Sequence, residues 1–227
     1  MNVLFIFCVI LIPVFALFSV LTMNQGYNAM VRRRFDYLSE FPFEGYQTRH
    51  FDSHLAIGFF IAMTLMMAAS SYLPSLASAT VKGFIGSRPA LIGVMGTLFP
   101  LSLIGLLFVG ADKMKAHLGV FIGANGLFAI YAVSCGFLFL DMRQFNDTLG
   151  LTFAIIFFVL AVLGGMVMLN PKLASWGKLK KIGEGPNALY VRPRPFLLPF
   201  SEWIIIGLGV LTTILFSAGF YFLSSGI

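Results

Sequence analysis

Three histidines and a handful of carboxylates carry most of the chemistry available to this chain. His50 and His54 stand four apart in RHFDSHLAIG, residues 49–58, with Asp52 between them. His117 follows Asp112 by five positions, and Glu202 sits in PFSEW at the edge of the last apolar run. Residues four apart on a helix share a face, so His50 and His54 would stand together while Asp52 points away from both. Imidazole nitrogens combined with a carboxylate suit zinc or non-haem iron. A haem needs axial nitrogens from two facing helices, and His54 with His117 is the sensible pair. A metal held this way would activate water at a membrane face for lipid or amide hydrolysis. Without a metal, the same groups would serve as acid and base, or simply occupy the polar interface at helix ends. His50, His54, His117, Asp112 and Glu202 are therefore the candidate metal or haem positions. The residues alone leave the cofactor open.

The elements that must position these groups are membrane helices. The chain has 227 residues, 59% of them hydrophobic and 11% charged, with a mean hydropathy of +0.92. Soluble domains run to roughly 45–50% apolar, so the surplus must face lipid or other membrane helices. Six runs, about 3–23, 54–74, 89–110, 117–140, 149–169 and 203–225, contain no Asp, Glu, Lys or Arg. Each reaches the roughly 17–25 residues that a helix needs to cross a bilayer. Lipid supplies no partner for stray backbone groups, so such runs must be helical, and they lack the alternation of a membrane β-barrel. The first run has no basic leader and no small-residue cleavage site, so it reads as a retained helix. The expected fold is all-α: a polytopic integral membrane protein, one domain, a six-transmembrane-helix bundle.

Charge distribution predicts its orientation. The first, third and fifth connections hold twelve Lys and Arg, against three (Lys82, Arg88 and Arg143) on the other side. Positive residues stay cytoplasmic, so both termini are expected on the non-cytoplasmic side. His54, His117 and Glu202 then open their helices at one cytoplasmic level. Two cytoplasmic connections are long, residues 24–53 and 170–202. Arg32, Arg33 and Arg34 in the first, and Lys178, Lys180 and Lys181 in the second, are placed to meet lipid headgroups or a partner. Near Trp176 and Leu179 the lysines would either line a short interfacial helix or serve as positive-inside charge beside a tryptophan anchor. GEGP ends any such helix, and Pro193, Pro195 and Pro199 favour an extended path. The basic residues flank apolar runs and lack the aromatic interleaving of a nucleic-acid platform, which excludes that partner.

The interiors of the runs are nearly devoid of chemistry. Ionisable groups at mid-membrane mark proton relays and ion paths, and none occurs here, which argues against proton-coupled transport through the centre. Gly119 and Gly123 have GxxxG spacing with Asn125 just beyond, and the third run carries Gly96 and Pro100. Small residues four apart allow backbones to approach, and Asn125 can hydrogen-bond across to a neighbour; the same residues would alternatively line a cleft for lipid or another apolar ligand. Cys8 and Cys135 form neither a disulfide framework nor a metal pair. Dinucleotide loop, P-loop, HExxH and GxSxG patterns are all missing. The expected function is accordingly a non-catalytic integral subunit packed with partner membrane proteins. The alternatives are a membrane-interface enzyme with a His-based metal or haem site, and a carrier or binder of lipid or another small apolar ligand.

Overall fold

The computed structural model describes residues 50–77, 79–109, 114–168, 180–185, 189–191 and 197–225. The first apolar run, the Arg32–Arg34 triplet, Asp112 and Lys178 lie outside these residues. The order is α1 (His50–Ser71), a 3-10 turn (Leu73–Leu76), α2 (Ala79–Ile85), α3 (Arg88–Phe108), α4 (Met114–Asp141), a 3-10 turn (Met142–Gln144), α5 (Asp147–Met168), β1 (Lys180–Ile182), β2 (Leu189–Val191) and α6 (Leu197–Ser225). Among the described residues, four helices are long and apolar enough to cross a membrane: Arg88–Leu106, Lys115–Gln144, Asp147–Met168 and Ser201–Ser224. A shorter apolar stretch, Phe60–Ser71, belongs to α1.

Several boundaries differ from those read in the sequence. Helix α1 already includes His50 to Ser53, ahead of the apolar run from residue 54. Helix α6 begins at Leu197, about a turn before its apolar span Ser201–Ser224, so Pro199 is helical where the sequence favours an extended path. Pro199 is compatible with that start, because the first turn of a helix has no intrahelical use for the missing N–H. Lys180 and Lys181 lie in a strand, not in an interfacial helix: β1 pairs antiparallel with β2, Lys180 opposite Val191 and Ile182 opposite Leu189. Gly183 and Gly185 follow β1 with φ of 86° and 76°, left-handed values that glycine adopts without a Cβ clash and that a continuing helix would not allow.

The contacts fix the helix directions. Ser70 of α1 reaches Thr213 and Ser217 of α6, and Met63 of α1 stands against Gly209, so α1 and α6 run the same way. Gly93 and Gly96 of α3 face Tyr72, just past α1, and Ser71 at its last position in turn, and Gly209 also meets Phe99, so α3 runs opposite to α1. Gly164 of α5 meets Phe128 of α4, while Gly150 meets Arg143 and Phe139, which makes α5 antiparallel to α4. Glycine is required where these helices touch most closely. A Cβ on Gly96 would lie 1.8 Å from Ser71 Oγ, and one on Gly164 2.5 Å from Phe128.

Between the helices lies a phenylalanine-rich core. Phe139 stacks on Phe153 and Phe157, both at 5.2 Å, and meets Phe216 edge-on at 5.8 Å. Flat rings in offset and edge contacts fill the space between helices that glycines bring close. Facing outward are large apolar side chains, among them Val162, Met166 and Phe222, each about 60% exposed or slightly more. At the end holding Ser71 and Arg88, the Arg88 guanidinium pairs with Asp141 and lies 5.2 Å from the Phe137 ring. Asn146 Oδ1 accepts the Leu149 amide and caps the start of α5.

Candidate functional site

At the opposite end of the bundle, His117 in the first turn of α4 meets Glu202 of α6. His117 Nε2 lies 2.6 Å from Glu202 Oε1, and Nδ1 lies 2.7 Å from the Val109 carbonyl. Both side chains are 0% exposed. Local structure explains the second bond. Helix α3 ends at Phe108 and Val109 turns extended as its C-cap, with φ −101° and ψ 98°. Carbonyls at such an end have lost their helical donors, and the imidazole supplies one. A single ring therefore joins the end of α3, the start of α4 and the start of α6.

This arrangement spends both imidazole nitrogens inside the protein. For His117 to ligate a metal or a haem iron, either Glu202 or the Val109 carbonyl would have to be displaced. His50 and His54 occupy the first turns of α1. Carrying the Met63–Gly209 register down both helices at equal rise takes position 54 to the level of Phe200, close to Glu202 in height. Their side chains, and Asp112, lie outside what the structure describes. Among the described residues no group of three or more His, Cys, Asp or Glu is placed to hold a metal.

The residues read as a packing face or cleft separate in three directions. Gly96 is buried at the junction of α1, α3 and α4, where a Cβ would meet Ser71 and Tyr131. Pro100, one turn on, is buried within α3 and deprives the Gly96 carbonyl of its usual donor. Gly119 and Gly123 face outward with no atom within 4 Å of an added Cβ, as does Gly126. Asn125 lies about three turns before Gly136 on the same side of α4, and Gly136 meets Phe158 of α5. The asparagine thus points toward α5 rather than into an α3–α4 cleft. It is fully buried. Its Nδ2 donates to Phe121 O at 2.7 Å, and its Oδ1 has no hydrogen-bond partner.

Buried hydroxyls also tie helices together. Ser70 Oγ lies 2.8 Å from Ser217 Oγ, joining α1 to α6. Ser71 Oγ donates to the Met67 carbonyl and lies 3.2 Å from Tyr131 Oη, joining α1 to α4. The signal for them was Ser70-Ser71 at the end of an apolar run, where neighbouring hydroxyls project toward two different helices. Comparison of the chain with family models, curated proteins and solved structures gave no match.

Proposed function

We propose that this chain is a six-helix integral membrane protein, both termini on the non-cytoplasmic side, that serves as a non-catalytic subunit packed against partner membrane proteins. The observation that carries the reading is the use made of its best chemical group. His117 stands at hydrogen-bonding distance from both Glu202 and the Val109 carbonyl, and its side chain and that of Glu202 have no exposure to solvent, which is the geometry of a fastening between helices. Catalysis needs a group aimed at a reacting atom. The outward faces support the partner half of the reading. Most carry large apolar chains suited to lipid, but α4 presents Gly119, Gly123 and Gly126 with open space above them, a flat strip on which another helix backbone can lie closely. Arg32, Arg33, Arg34, Lys178, Lys180 and Lys181 then serve headgroups or the partner at the cytoplasmic surface.

The test is purification from native membranes in mild detergent, with partners, metal and haem measured on the same sample. Co-purification of a fixed partner, lost in Gly119→Leu with Gly123→Leu while the bundle stays folded, is the expected result. A solitary protein carrying stoichiometric metal or haem, lost in His54→Ala and His117→Ala, would overturn the proposal in favour of the enzyme. Ligand-dependent protection around Asn125 with no partner present would overturn it in favour of the carrier.

A further inference from the structure

The hydrogen count at His117 constrains what the pair can do. A backbone carbonyl only accepts, so the 2.7 Å contact with Val109 requires a hydrogen on Nδ1. The 2.6 Å contact between Nε2 and Oε1 then requires one proton between them. That proton sits on the imidazole, facing a carboxylate, or on the carboxyl group, facing a neutral imidazole. The two forms hold the same number of protons. If the proton leaves to bulk water, a neutral imidazole with a single N–H remains beside a carboxylate. That N–H can serve Glu202 or Val109, not both. One of the two contacts becomes lone pair against lone pair at a place where both side chains are fully buried.

We propose that His117 and Glu202 form a binding site for a single proton, and that its occupancy holds the start of α4 to the end of α3 and to α6 at once. The charged groups on the elements packed around the pair are these. Lys115 on α4 is exposed. Among the described residues of α3 and α5, the charged groups are Arg88 and Asp147, both at the far end of the bundle. Glu202 is the charged group of α6. Asp112 and Lys113 lie in the turn between α3 and α4, and His50, Asp52 and His54 open α1, their side chains outside the described set. The inference goes beyond the subunit reading and holds with or without a partner bound.

The test uses the full chain in phosphatidylcholine bilayers with His50→Gln and His54→Gln, leaving His117 as the one labelled ring for 15N NMR. Spin-label distances are measured from Lys115→Cys to Leu101→Cys on α3 and to Ile204→Cys on α6, with Cys8→Ser and Cys135→Ala as background. At neutral pH, Nδ1 should read as N–H and Nε2 as protonated or strongly hydrogen-bonded. Raising the pH should remove the shared proton and lengthen at least one of the two distances. In Glu202→Gln both distances should stay short across the same range, because the amide donates to Nε2 without a titrating proton. An Nε2 signal free of any hydrogen bond at neutral pH would overturn the proposal. So would distances in Glu202→Gln that follow pH as the parent protein does. Should that variant fail to fold, proton loss in the parent without a change in either distance would refute it.

Discussion

Replacing Glu202 with alanine leaves the His117 ring facing a void at a site where both side chains are fully buried. Two scales bracket the cost. Hydrogen bonds between helices inside membranes average about 0.6 kcal/mol, because the unfolded but inserted chain also finds partners. Removing one member of a buried ion pair costs about 3–5 kcal/mol, because the remaining charge is stranded. The geometry favours the second scale. The imidazole is already committed to Val109 through Nδ1, so it cannot turn toward a substitute without breaking that bond. Glu202→Ala and His117→Ala should each lose about 3 kcal/mol of stability. Glu202→Gln keeps a donor toward Nε2 and should lose about 1 kcal/mol. The double variant His117→Leu with Glu202→Leu removes both members of the pair, at the cost of the Val109 carbonyl's imidazole donor, and should cost less than the two alanine changes added together. The assay is reversible unfolding in mixed micelles, run as a double-mutant cycle and followed through the fluorescence of neighbouring Trp203. An additive cycle, with each alanine change costing about 0.6 kcal/mol or less, would refute the claim that the pair is a fastening.

Glycines on different sides of the bundle should behave oppositely: Gly96→Ala drives a Cβ to 1.8 Å from Ser71 Oγ and 2.9 Å from Tyr131 and should destabilise by about 1–3 kcal/mol. Gly123→Ala meets nothing within 4 Å and should be neutral or slightly stabilising in the isolated chain through lower backbone entropy of the unfolded state; equal losses at both positions in the same unfolding assay would contradict the packing described. Asn125→Leu removes a buried Oδ1 that has no partner, so its unfolding midpoint should stay level or rise, and a loss above about 1 kcal/mol would show that the oxygen is engaged.

Much of the architecture was legible because lipid leaves the backbone few options. A charge-free run such as 149–169 has to be a helix, and α5, Asp147–Met168, takes in all of its described residues. Alternation of direction from one run to the next was enough to bring His117 and Glu202 to one end. Helix ends were less legible: α6 starts at Leu197, through a stretch whose prolines argue for an extended path, because one of them fits the first helical turn. The Lys180–Ile182 strand was hidden because three lysines beside a tryptophan also fit an amphipathic helix, and its pairing with Leu189–Val191 is a contact across a turn.

Composition and the length of its apolar runs determined, from the sequence alone, that this chain builds long helices and at which end of each its few ionisable groups stand. Only the tertiary structure decided which way each helix faces. These helices are apolar nearly all the way round, so no polar stripe marks an outer side, and a step of one residue turns a side chain by about 100°. That rotation puts Gly119 and Gly123 on the outside, Asn125 toward α5 and Gly96 at a three-helix junction. It also closes His117 onto Glu202 at 2.6 Å, turning two residues that merely share a level into a contact that needs a proton.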